Sequence, residues 1–148
     1  MKAKLLLEEL INIWFPQNGD ECDFWFASKR KKYKEIFDNL KKFEEVYVYY
    51  SKSSINFDED DLFLCELAIF LDQTGRNLNH NLKEESDSIA NEIAEFLLKK
   101  DDFIKTLEVR KFCFLTLILR HTKILEKIDC SLKIMKRFDN PLISKFLK

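Results

Sequence analysis

An all-α fold is predicted by three features of this chain. Gly and Pro number only two each in 148 residues, too few for the many turns of an all-β fold. Apolar residues recur at helical spacing in segment after segment. The stretch 58–77, DEDDLFLCELAIFLDQTGRN, reads as an acidic helix start followed by a helix apolar on nearly every face. Such a helix belongs at the centre of a fold. With 46% hydrophobic and 34% charged residues, the chain has the composition of a folded protein. Its length fits a single domain over 1–148, built from about six to seven antiparallel helices.

The first helix is expected over 2–14, where Leu6, Leu7, Leu10, Ile11, Ile13 and Trp14 share a face and Pro16 ends the run. A loop follows, and Ser28 is placed to cap a second helix with the stripe Tyr33, Ile36, Phe37, Leu40, Phe43 and Tyr47. VYVYY (46–50) has strand composition but no partner strand, so it is assigned to the end of that helix. The third helix starts at Asp58–Asp61, which complement the helix dipole, and is expected to stop at Gly75, a natural C-terminal glycine. A fourth runs over about 86–99 with Ile89, Ala90, Ile93, Phe96 and Leu97 inward. A fifth, nearly all apolar, covers about 107–121. A sixth covers about 123–137 with Ile124, Ile128, Leu132 and Met135 inward, and Pro141 is placed to open a short last helix. The two all-apolar helices, third and fifth, are expected to be sandwiched by the amphipathic ones.

The net charge of −1 supplies no field to steer a polyanion. The basic run 29–35, KRKKYKE, carries its charges off the apolar stripe, as a solvated face would, so nucleic acid is not the expected partner. Cys22, Cys65, Cys113 and Cys130 form no C-x-x-C pair, which predicts free thiols in a reducing compartment and a cytoplasmic location. Glu8 and Glu9 interrupt the apolar N-terminal stretch, making it a poor signal peptide. No run of 18 apolar residues suggests a membrane span. His80, His121 and Asp72 are three potential metal ligands, but no H-x-x-x-H pair exists, and neither metal nor cofactor is expected.

Chemistry, if present, should sit in the polar knot that ends the central helix. Asp72 and Arg76 are four apart, as are Gln73 and Asn77. With Gly75 turning the chain, Arg76 and Asn77 would fold back and cap orphan carbonyls. Alternatively the knot floors a pocket, with Asp72 as base or ion partner, Arg76 as anion binder, and Gln73 and Asn77 as amide readers. His121, after an apolar run, reads as a helix-end residue or as an acid–base group facing the knot. His80 reads as solvated. Trp14, Phe15, Trp25 and Phe26 either plug the open end of the helical layers or line a ligand groove.

The order of these marks resembles an uncharacterised, mainly bacterial family. Its members carry Trp-Phe pairs, a helix ending LLDQ-x-x-RN, and a later helix closing on a Pro-x-Glu-His-Ser-Glu-like motif. The matching residues are Trp14, Phe15, Trp25, Phe26, Asp72, Gln73, Arg76, Asn77 and His121. Ile118 stands where the family has Pro, Arg120 and Lys123 where it has Glu, and Thr122 where it has Ser; the family's basic, Gly-containing tail has no counterpart before Lys148. The resemblance spans about 8–138 and implies a TPR-like, right-handed superhelical packing. The expected function is a binding module for a peptide or small ligand, in a groove near Trp25 and Asp72–Asn77. Trp14, Gln73, Arg76 and Asn77 are the other contact residues. The alternative is an enzyme of unknown reaction, a hydrolase or transferase, using Asp72, Arg76 and His121.

Overall fold

The computed structural model describes residues 3–15, 41–78, 80–137 and 143. The expected helix opening at Ser28, the basic run 29–35, Cys22, Trp25, Phe26 and the helix after Pro141 lie outside these residues. Seven α-helices are present among the described residues: α1 (Ala3–Trp14), α2 (Glu44–Ser51), α3 (Asp61–Leu78), α4 (Lys83–Leu98), α5 (Asp101–Thr106), α6 (Val109–His121) and α7 (Leu125–Met135). A 3-10 turn, Lys41–Phe43, leads into α2. No strand occurs among the described residues, and VYVYY is helical.

The central rod is α3. Leu64, Cys65, Ala68, Ile69, Phe70 and Leu71 are each no more than 1% exposed, and full burial of one Leu or Ile side chain contributes about 1.5–3 kcal/mol. Helices α1, α2, α4 and α6 all pack on it. Side-chain ties give their directions. Lys100, just past α4, meets Asp61 at the start of α3 at 3.0 Å, while Gly75 near the end of α3 faces Ser86 near the start of α4. These two helices are therefore antiparallel. Glu66 meets Lys111 at 3.3 Å and Asp72 meets His121 at 3.0 Å, so α3 and α6 run parallel. Tyr47 packs on Phe70 and Tyr50 on Phe63, which makes α2 antiparallel to α3.

The expected acidic start of the third helix holds: it opens at Asp61, and the Asp60 carboxylate accepts the Phe63 N–H at 3.2 Å as an N-terminal cap. The expected end is corrected, because Gly75 does not end it. Gly75 is not at positive φ and the helix continues to Leu78. The glycine is needed for close packing instead, because a Cβ at 75 would lie 2.7 Å from the Tyr47 hydroxyl oxygen and 3.0 Å from Ser86 Oγ. Helix α5 leaves no mark in the sequence, since six residues are too few to show a period. Ile124 is also corrected, since it is 48% exposed. The inward face of α7 is Ser131, Ile134 and Met135. Lys123, at φ 60°, makes the corner between α6 and α7 in a left-handed conformation that costs a non-glycine residue about 1 kcal/mol.

The expected stripes otherwise hold: Leu7, Leu10, Ile11 and Trp14 on α1, and Ala90, Ile93 and Leu97 on α4, are buried. Cys65, Cys113 and Cys130 are free thiols. Among the described residues no helix is long and apolar enough to cross a membrane.

Candidate functional site at the end of α3

The polar knot divides into an inner and an outer half because α3 stays helical through Gly75. Asp72 points inward and is 2% exposed. Its carboxylate accepts Gln73 Nε2 at 3.0 Å and His121 Nδ1 at 3.1 and 3.0 Å on its two oxygens. A ring nitrogen facing an ionised carboxylate must carry the proton, so Nδ1 donates and Nε2 is the basic nitrogen of neutral His121. The His121 side chain is 19% exposed. The two residues are 49 positions apart in sequence and meet because α3 and α6 run parallel with their last turns side by side.

Arg76 and Asn77 do not fold back under the helix end, which corrects the expected cap. Arg76 is exposed and its guanidinium forms no ion pair with Asp72, although the two are i and i+4. Asn77 Nδ2 donates to the Gln73 carbonyl at 2.8 Å. Trp14 is 4% exposed and packs edge-on against Phe114 at 6.1 Å; its ring belongs to the core rather than to a groove wall. Phe15 is buried too, 5.4 Å from Phe114.

His80 is not solvated. Its ring lies 5.0 Å from Tyr47, Nδ1 accepts the Leu82 N–H at 3.1 Å, and Nε2 therefore donates to Glu44 at 3.1 Å. The two histidines thus serve different carboxylates through opposite nitrogens. Among the described residues no group of three metal-binding side chains comes together.

Two residues on α4 went unnoticed in the sequence. Asp87 and Asn91 are spaced i, i+4, so they share a face. Burial pushes the Asp87 carboxyl above the ordinary 3.8, with Lys83 pulling down, Asp72 pushing up and Arg76 pulling down more weakly. Nothing in the amphipathic spacing of EESDSIANEI (84–93) singles them out, because an Asp and an Asn beside an apolar stripe look like ordinary surface positions. Two clefts elsewhere, of about 470 Å³ beside Leu5, Tyr50 and Phe63 and about 620 Å³ beside Asp61, Phe103 and Lys111, are not lined by Asp72, Arg76 or His121.

Compared with protein-family models, curated proteins and solved structures, the chain matches none.

Proposed function

We propose that the chain is a TPR-like helical binding domain that holds a peptide or small ligand at the outer half of the knot, with an anionic group of the ligand on Arg76. One observation carries this reading. The Asp72 carboxylate is consumed by His121 and Gln73 in the interior, whereas the Arg76 guanidinium at the same helix end is exposed. The TPR-like packing is supported by the directions of the helices, with α3 and α6 parallel and α2 and α4 antiparallel to α3. Kinship with the LLDQ-x-x-RN family is supported by the meeting of Asp72 and His121, the inner parts of its two motifs. A thermal-shift panel of carboxylates, nucleotides and short acidic peptides tests the binding reading. A ligand at a hundredfold excess over its Kd should add about 2.7 kcal/mol, and Arg76→Ala should remove that gain. Equal shifts in both proteins, or none in either, would sink the proposal.

The enzyme reading has one observation in its favour. Asp72 fixes His121 through Nδ1 and leaves Nε2 as a proton acceptor, which is how a general base is oriented. In that reading His121→Ala abolishes turnover of ester or phosphoester substrates at temperatures where the variant, though less stable, is still fully folded. A wild-type protein inert across such a panel ends it.

A further inference from the structure

The cleft of about 470 Å³ beside Leu5, Tyr50 and Phe63 differs in kind from the polar knot. Its floor reaches the core: Leu64 and Leu67 line it, and they are 1% and 7% exposed. Its mouth is apolar yet open to water. Leu5 on the first turn of α1 and Tyr49 on the last turn of α2 are 59% and 50% exposed. An apolar recess of this volume falls in the range of about 300–1,000 Å³ that holds small molecules. Part of its wall is a run of rings: Tyr49 meets Tyr50 edge-on at 5.1 Å, and Tyr50 meets Phe63 edge-on at 6.4 Å. The charged residues of the lining, Lys4 and Glu59, answer each other. Lys4 Nζ stands 3.5 Å from Glu59 Oε2 and 4.7 Å over the Phe63 ring, so neither charge calls for an ion from outside. Burial, Tyr49 and Glu59 all push the Tyr50 phenol above 10.0, which keeps the ring wall neutral as well.

We propose that this cleft binds a small uncharged aromatic molecule, its ring on the floor of Leu64 and Leu67 and against the rings of Tyr50 and Phe63. The floor supplies the apolar area that drives such binding. The wall selects an aromatic ring over a saturated one, because ring pairs in edge-to-face contact gain more than their buried area alone provides. The lining selects against charge, since an ion entering here would lose its water and find Lys4 and Glu59 already paired. A bound ring would also cover Leu5 and Tyr49, the apolar side chains left in water at the mouth. The proposal stands apart from the reading of the knot, because Asp72, Arg76 and His121 do not line this cleft.

The experiment titrates the full chain with benzyl alcohol and with cyclohexylmethanol, its saturated counterpart, and follows the Leu and Ile methyl groups by ¹H–¹³C NMR. Benzyl alcohol should move the methyls of Leu64, Leu67, Ile55 and Ile89 in a saturable way. Its midpoint should lie about threefold below that of cyclohexylmethanol. Benzylammonium and benzoate, which keep the ring and add a charge, should move these methyls only at higher concentration. Leu5→Glu and Tyr49→Ala change exposed positions, which the fold tolerates, and each should weaken benzyl alcohol about fivefold. Absence of a saturable shift, shifts centred away from the cleft, or unchanged binding in either variant would overturn the proposal. So would an equal or lower midpoint for cyclohexylmethanol or for either charged compound. Movement of the same methyls on dilution of the protein alone would overturn it too, because a second copy would then fill the cleft.

Discussion

At the scale of single residues, Gly75 has the most constrained environment. Its hydrogen faces the Tyr47 hydroxyl, which in turn shares a 2.7 Å hydrogen bond with Ser86. The Tyr47 phenol is pushed above its ordinary value of 10.0 by burial, against the pull of Ser86. A methyl at 75 would collide with this pair, so Gly75→Ala should destabilise by about 1–3 kcal/mol in urea unfolding. Tyr47→Phe removes the atom in the way, and the double variant should lose less than the two single losses added together. Strict additivity would show that the close approach is not the cause. The sequence could not reveal this, because a helix C-terminus and a tight helix crossing both ask for Gly and only the partner helix tells them apart. Asp72 and His121 were legible as candidates by residue type and by their positions after apolar runs. Their contact was not, since it depends on two helices being parallel. A double-mutant cycle, Asp72→Ala with His121→Ala, should give a coupling of about 1.5–3 kcal/mol, the range for a hydrogen bond to a charged group. A coupling near zero would mean the pair is not formed in solution.

At the scale of elements, helix existence followed from apolar period and helix ends did not. Helices α1, α3, α4 and α6 each carry enough turns for the stripe to be read. Helix α5 is a single turn and a half, shorter than the period it would have to display. On α7 the spacing puts Ile124 and Met135 on one inward face; Met135 is buried, but the left-handed Lys123 places Ile124 before the helix, where it takes no part in the stripe. The run 58–61 suggests four acidic residues acting on the dipole together, whereas one of them, Asp60, makes the specific bond. Asp60→Ala should therefore cost about 1 kcal/mol, and Asp58→Ala much less, as measured by chemical denaturation. Equal losses would favour a diffuse dipole effect over the cap.

At the scale of the whole molecule, α3 holds the fold together by touching helices on several sides, and its ends carry different chemistry. One end is tied by ion pairs from Asp61 to Lys100 and from Glu66 to Lys111; the other holds the knot. The pH profile of stability should carry the mark of Asp87. Its folded value lies above 3.8, so the folded chain binds this proton more tightly than the unfolded one. The group's favourable contribution is present below 3.8 and is lost as pH rises through the folded value. Asp87→Asn should thus gain on the wild type between pH 4 and pH 7, in urea titrations at each pH. A constant difference across that range would contradict the sign.

Cys65 on α3 and Cys113 on α6 lie in the interior, and burial pushes both thiols up, that of Cys113 to about 12. Neither can meet a water-borne alkylating reagent as a thiolate while the helices stay together. The slow phase of modification by such a reagent is consequently a clock for breathing of the fold. If α3 and α6 separate as one cooperative unit, the two sites will be modified at the same rate, and a ligand that clamps the knot will slow both.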